Sequence, residues 1–157
     1  LSCTSLLLVT APDRLADERR RDTAQAIADV RQVWRVVRRN PRADQVESWT
    51  VWLSDLVDPE DRRRLAFPAV GAPRPTGPTP WTAAVDAFVR RLDGRPDAFR
   101  LTSVTLEDDY ATGVAELVDD ATGRRGRVPV VRRGALWFLS LDAVTRNGVA
   151  SRATHGD

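Results

Sequence analysis

Residues 99–118 read FRLTSVTLEDDYATGVAELV, and residues 126–141 read GRVPVVRRGALWFLSL. Apolar and polar side chains alternate along most of both segments, which is the period of half-buried β-strands. Gly, Asp and Pro residues interrupt the alternation where turns are expected. The pattern predicts four strands, over residues 99–107, 110–118, 126–133 and 136–141. Because the connections are short, we expect consecutive strands to pair as an antiparallel meander.

The sequence before this sheet is predicted to be helical. Residues 10–13 read Thr-Ala-Pro-Asp, and a Thr cap, an early proline and an early acid favour the start of a helix that runs to about Arg39. Asp58 and Thr79, each followed by a proline, are expected to cap later helices. Three further helices are predicted over residues 44–56, 59–67 and 81–92. Helices followed by a β-meander predict the α+β class, with the N-terminal helices packed on the sheet.

The chain of 157 residues is long enough for one domain and too short for two well-packed ones. We expect the domain to span residues 13–145 and to include a proline-rich loop, residues 68–80, that is either an ordered flap or a mobile loop. Residues 1–12 are interpreted as an apolar lead-in, a short strand or the remnant of a signal peptide or anchor. In that segment Cys3 is either a lipidation site or a plain thiol. Residues 146–157 are expected to form a flexible tail. An extracytoplasmic or membrane-anchored location is slightly favoured over a cytoplasmic one.

The composition excludes several kinds of chemistry. All 24 Lys/Arg positions are arginine, against 22 acids, and this bias indicates a bacterial genome of high GC content more than a function. One cysteine excludes an intramolecular disulfide, and one cysteine with one histidine cannot build a Cys/His zinc site. His155 lies in the polar tail, which disfavours a Ser-His-Asp or Cys-His site. We therefore expect no metal site and no cofactor.

The charged residues of the predicted sheet form two blocks. Residues 107–120 hold six acids and no arginine, and residues 124–133 hold five arginines and no acid. If these blocks are neighbouring strands, Glu116 lies near Arg127 and Arg132, and opposite charges across a ladder stabilise the pairing. The alternative is a phosphate or nucleic-acid groove, but nucleic acid is not the expected partner because the charges are matched along most of the chain.

Five of the ten aromatic residues are tryptophans. An indole fills a core well, and it also lines an apolar cavity with one N–H to spare. Both interpretations stay open for each tryptophan. The candidate ligand-binding residues are Trp34, Trp49, Trp52, Trp81 and Tyr110.

Several motifs follow one another in an order that is typical of a known superfamily. Trp52-Leu53 precedes DPEDRR at residues 58–63, and VTLEDDYAT at 104–112 precedes VPVVRRGALW at 128–137. With a long first helix, this order resembles the nuclear transport factor 2-like superfamily over about residues 20–142. The likeness is greatest to its small bacterial exported or membrane-anchored members. Two features depart from that pattern: Tyr110 stands where such sequences often have a small or charged residue, and the proline-rich stretch replaces a clear first hairpin.

The resemblance implies a cone-shaped fold in which a strongly curved sheet wraps the long helix and leaves a pocket at the wide end. Relatives use this pocket to bind small apolar molecules, to hold an active site or to form dimers, so the fold alone does not select a function. Catalytic relatives often use a His-Asp or a Tyr-Asp pair. The terminal position of His155 excludes the first pair, and Tyr110 leaves the second open.

Three functions follow as hypotheses. The favoured one is a non-catalytic binding or accessory domain that holds a small apolar ligand. The second is a cofactor-independent isomerase, hydratase or cyclase, in which Asp55 or Asp86 acts as a base and Tyr110 or an arginine stabilises negative charge. The third is an interaction module that forms a homodimer or docks a membrane-bound partner through an open sheet face.

Overall fold

The structure is a computed structural model that describes residues 11–73 and 75–141. Within them, four α-helices precede a one-turn 3-10 helix, Pro96–Ala98, and a four-stranded sheet. The helices are α1 (Ala11–Arg38), α2 (Ser48–Trp52), α3 (Pro59–Arg64) and α4 (Pro80–Arg91). The strands are β1 (Phe99–Leu106), β2 (Thr112–Asp119), β3 (Arg125–Arg133) and β4 (Leu136–Leu139). The predicted α+β class is confirmed.

Two predictions concern the ends of the chain. The predicted lead-in spans residues 1–12, and its first ten residues, which include Cys3, lie outside the described residues. The predicted tail, with His155, lies outside them entirely. None of the described helices combines the length and the apolar character that are needed to cross a bilayer.

Helix α1 contributes one apolar stripe to the core. Ala26, Val30, Trp34 and Val37 recur at helical spacing and are buried, whereas residues 12–22 are exposed along their whole length. The stripe contacts both the first and the last strand, since α1 packs against β1 and β4. The C-terminal half of the helix therefore spans the sheet.

Helix α2 is shorter than the helix predicted over residues 44–56. Only Ser48–Trp52 is α-helical, and the residues around it form tighter turns, such as the one in which the Gln45 N–H donates to the Arg42 carbonyl at 2.9 Å. The Ser48 hydroxyl also donates to the Arg42 carbonyl, at 2.6 Å. A side chain that hydrogen-bonds the preceding backbone competes with the helical ladder, which explains the late start.

The caps predicted at Asp58 and Thr79 are confirmed, whereas the cap predicted at Thr10 lies outside the described residues. The Asp58 side chain accepts a hydrogen bond from the Glu60 N–H at 3.1 Å at the start of α3. Thr79 and Thr82 form a capping box at the start of α4, in which each side chain accepts from the other residue's N–H. The chain leaves α4 through Gly94, whose φ of +73° is accessible to glycine at little cost.

The sheet is an antiparallel meander in the order β1-β2-β3-β4, as the alternation predicts. Ala115 lies opposite Val104 on one side and Val128 on the other, and all three side chains are buried on the face toward the helices. The predicted pairing of Glu116 with Arg127 is confirmed, because the two lie in register and form an ion pair at 2.9 Å. The prediction that Arg132 also lies near Glu116 is not supported by the register, which places Arg132 opposite Trp137 in β4.

The connection between β1 and β2 is longer than predicted. It spans residues 107–111, and the Asp109 carboxylate accepts hydrogen bonds from the N–H groups of Ala111 (2.9 Å) and Thr112 (3.0 Å). This closure places Tyr110 in the turn at a φ of +52°, not in the strand predicted to begin there.

The helical half of the chain is joined to the free side of β4. The Asp58 N–H donates to the Leu139 carbonyl at 2.9 Å, and the Leu139 N–H donates to the Leu56 carbonyl at 2.8 Å. Val57 thereby forms a parallel bridge with Leu139, and both side chains are fully buried. The bridge covers an edge that would otherwise expose unpaired backbone groups.

Candidate functional site

Each of the four helical tryptophans donates its indole N–H to a backbone carbonyl. The pairs are Trp34 with Phe99 (2.7 Å), Trp49 with Ala43 (3.1 Å), Trp52 with Val36 (2.8 Å) and Trp81 with Thr50 (3.1 Å). The polar atom of each indole is therefore committed within the protein, and only the ring surface remains for other contacts.

The same tryptophans differ in position. Trp34 and Trp49 are fully buried within the core, and Trp52 is half-buried against it. None of these three is among the residues that line the cavities described below. Trp81 is as buried as Trp34, at 2% exposure, and belongs to the same core, but unlike the other three it also borders a cavity.

That cavity, which we call the Trp81 groove, has a volume of about 310 Å³. It lies between α2, the start of α4 and the proline-rich loop. Its wall consists of Thr50, Val51, Ser54, Phe67, Trp81 and Thr82, together with four residues of the loop 68–79. The Phe67 and Trp81 rings meet edge to face, with centroids 4.9 Å apart and an interplanar angle of 81°. The groove is therefore a concave site with an aromatic wall.

A neighbouring cavity of about 390 Å³ continues the groove along the same two helices. Thr50, Gly77 and Thr82 line both cavities, and Val46 and Asp86 line only the second. The two cavities together form a trough whose rim is part helix and part loop.

Exposed apolar side chains are concentrated at this trough. Six large apolar side chains are exposed in the described parts of the chain, and three of them, Val46, Val51 and Phe67, line the trough. Val51 is 76% exposed although it lies in a helix that also supplies core residues. Exposed apolar surface grouped around a concave site is typical of a binding surface.

The predicted catalytic candidates do not converge. Asp86 lines the trough, but its carboxylate forms an ion pair with Arg90 at 2.8 Å. Asp55 is exposed and lines neither cavity, and Tyr110 lies in the turn between β1 and β2. No hydrogen bond joins Tyr110 to either carboxylate in residues 11–73 and 75–141. The same residues hold no group of three or more His, Cys, Asp or Glu arranged to bind a metal ion.

Two carboxylates with lowered pKa values lie at the ends of the strands rather than in the groove. The backbone N–H groups of Ala111 and Thr112 lower the pKa of Asp109, and the hydrogen bond from the Arg100 side chain lowers the pKa of Asp120. Both effects stabilise the charged form of a residue that shapes or flanks a turn. We infer that these two carboxylates stabilise the fold and are not part of a binding site.

Sequence reasoning identified Trp81 as a candidate and missed Val51 and Phe67. The one available signal for Phe67 was its position directly before the proline-rich loop. Val51 carried no comparable signal, since it lies within the predicted helix over residues 44–56.

No protein-family model matches this chain, and comparisons with curated proteins and with solved structures found no similar protein. The resemblance to the nuclear transport factor 2-like superfamily therefore remains an expectation that rests on the quoted motifs.

Proposed function

We propose that this protein is a non-catalytic binding module that holds a small, neutral, apolar molecule in the Trp81 groove. The observation that carries the proposal is the aromatic wall formed by Phe67 and Trp81, whose only polar atom is already bound to the Thr50 carbonyl. A ligand in the groove meets mainly the ring of Phe67, which is 36% exposed, and the small accessible part of Trp81, and it finds no indole donor.

The hydroxyl groups of the groove are committed in the same way. Thr50, Ser54 and Thr82 each donate a hydrogen bond to a carbonyl of the preceding turn, at 2.7, 2.6 and 3.0 Å. Their donors are therefore used by the backbone, and the Thr methyl groups remain as apolar surface. A ligand that needs several hydrogen-bond donors is poorly matched to such a wall.

The size of the groove favours a ligand of one or two rings or a short acyl chain. A cavity of about 310 Å³ lies at the lower end of the range for small-molecule sites. Burying about 200 Å² of ligand surface would contribute roughly 5 kcal/mol before the cost of association, so we expect a dissociation constant no lower than the high micromolar range. We expect tighter binding only for a ligand that also fills the neighbouring cavity.

Titration with the neutral fluorescent dye N-phenyl-naphthylamine tests the proposal. Val51→Glu places a carboxylate in the groove wall at an exposed position, and Leu136→Glu places the same charge on exposed β4 outside the groove. We expect Val51→Glu to weaken dye binding about tenfold or more, because the carboxylate must be desolvated, and Leu136→Glu to leave it unchanged. Equal dye affinity of both variants and the parent protein would contradict the proposal.

A second candidate, docking of a protein partner or a second copy of the chain, is favoured by the exposure of Val51 and Val70. Sedimentation velocity at rising concentration tests it. A dimer that Val51→Glu dissociates, in a protein that binds no dye, would favour docking over ligand binding. A monomer that binds dye would favour the Trp81 groove as a ligand site.

We also propose that the fold is a variant of the nuclear transport factor 2-like cone. The support is the contact of α1 with both β1 and β4, as expected if the sheet curves around the helix. An experimental structure tests this: a sheet whose outer strands both bend toward α1 supports a cone, and a flat sheet overturns it.

A further inference from the structure

A separate cavity of about 620 Å³ lies where the last turn of α4 meets the start of β3. Its lining includes four arginines and a single carboxylate, Glu116. We call it the arginine cleft, and its arginines are Arg91, Arg124, Arg125 and Arg127. None of its lining residues belongs to the Trp81 groove.

The strand pairing explains why this cleft is open. Strand β4 pairs with β3 only from Val130 to Arg133, so the first residues of β3 have β2 on one side and no strand on the other among the described residues. Leu92 packs closely at the same place, because a Cβ on Gly126 would lie only 2.6 Å from its Cδ2 atom. Leu92 and Val128, which are both buried, line the cleft on the side of β3 that faces α4.

The cleft carries more positive than negative charge. Arg127 pairs with Glu116 at 2.9 Å, and Arg124 pairs with Asp93 at 2.6 Å. Arg125 is exposed and forms no ion pair in the described parts of the chain. The paired arginines are more than half exposed, at 57% for Arg124 and 68% for Arg127. Such exposed pairs are weak and can exchange for a ligand anion.

We propose that the arginine cleft binds a small anion that carries two phosphate or carboxylate groups. Arg125 and Arg127 are two residues apart on one strand, so their side chains leave the same face, opposite to that of buried Val128, from Cα atoms about 7 Å apart. Each guanidinium presents a planar fork that matches a carboxylate or a phosphate. Because both side chains are long and flexible, a molecule with two anionic groups can meet both forks at once, whereas a molecule with one anionic group meets one. This site is independent of the apolar groove.

Isothermal titration with pyrophosphate and with citrate, at low ionic strength, tests the proposal. Arg125→Gln removes the unpaired guanidinium, and Arg132→Gln removes an exposed arginine of the same strand outside the cleft. We expect Arg125→Gln to weaken binding about tenfold or more and Arg132→Gln to leave it unchanged. Glu116→Gln removes the competing carboxylate and is expected to tighten binding about threefold.

The outcomes separate clearly. Weaker binding in Arg125→Gln together with tighter binding in Glu116→Gln supports the site, and the preferred probe identifies phosphate or carboxylate as the anionic group. Equal losses in Arg125→Gln and Arg132→Gln would overturn it, because they indicate attraction to net charge alone. Failure of both probes to bind at millimolar concentration would overturn it as well. Circular dichroism of each variant checks that the fold is retained.

Discussion

The guanidinium of Arg133 donates two hydrogen bonds to the carboxylate of Asp58, at 3.1 and 2.9 Å, and joins the end of β3 to the start of α3. Asp58 is 2% exposed and also caps α3 through the Glu60 N–H. The hydrogen bond to Asp58 raises the pKa of Arg133. One buried carboxylate thus serves a helix cap and a contact between residues 75 positions apart.

Removing the guanidinium leaves Asp58 buried without its charged partner. We expect Arg133→Gln to lower the free energy of unfolding by about 1–3 kcal/mol, less than for a fully buried pair because 42% of the Arg133 side chain is exposed. Urea denaturation measures the change. Arg132→Gln, at the preceding position, is the control, and we expect its free energy of unfolding to stay within about 0.5 kcal/mol of that of the parent. Similar losses of stability in both variants would contradict a specific stabilising role for the ion pair between Arg133 and Asp58.

The Asp109 turn predicts a dependence of stability on pH. The pKa of Asp109 is lowered in the folded state, so the folded protein binds fewer protons there than the unfolded chain. This stability is present above about pH 4 and is lost as the pH falls through the lower folded pKa.

Asp109→Asn keeps an oxygen that can accept from Ala111 and Thr112 but cannot titrate. We expect its urea midpoint to fall less steeply than that of the parent between about pH 5 and pH 2. Asp108→Asn, in the same turn, is the control and should keep the slope of the parent. A parent-like slope in Asp109→Asn would contradict the role of this turn.

Among the described glycines, Gly113 is the one at which an added Cβ would come closest to the backbone of a neighbouring strand. A Cβ there would lie 2.7 Å from the Thr105 carbonyl oxygen, which belongs to the neighbouring strand and cannot move away alone. We expect Gly113→Ala to destabilise the fold by about 1–3 kcal/mol in urea denaturation.

Gly77→Ala is the matched control, since nothing lies within 4 Å of its added Cβ and its φ is not positive. We expect its stability to stay within about 0.5 kcal/mol of the parent. A larger loss in Gly77→Ala than in Gly113→Ala would contradict the strand packing.

Trp34→Phe separates a core role from a ligand role. The change removes ring volume from the core and leaves the Phe99 carbonyl without its indole donor. We expect a loss of about 2–4 kcal/mol in unfolding free energy and no change in the affinity for N-phenyl-naphthylamine. A tenfold loss of dye affinity with unchanged stability would place Trp34 in the binding site instead.

The alternation and cap signals were local, and they predicted the four-stranded meander and the caps at Asp58 and Thr79 correctly, although β2 begins two residues later than expected. The pairing of Glu116 with Arg127 followed from two charge blocks separated by one turn, because the register of a hairpin is fixed by its short connection. The caps at Asp58 and Thr79 followed from residue types next to a proline. Such features depend on few residues and little tertiary context.

The groove could not be predicted in the same way. Whether an indole only fills the core or also borders a cavity depends on which distant residues pack around it, and for Trp81 these include Thr50, 31 residues away, whose carbonyl accepts the indole N–H. Tyr110 was predicted to begin a strand. It lies in the turn instead, because the turn is closed by hydrogen bonds to the Asp109 carboxylate that the alternation of side chains does not indicate. Contacts of this kind are set by tertiary packing and leave no periodic signal.

The indole N–H resonances of the protein test the central claim most directly. Five tryptophans give five such signals, which single Trp→Phe variants assign. On titration with N-phenyl-naphthylamine, binding in the Trp81 groove predicts that the Trp81 signal shifts and saturates while the signals of Trp34 and Trp49 stay in place. A shift of the Trp34 signal with an unmoved Trp81 signal, or no shift of any signal at saturating dye, would contradict it.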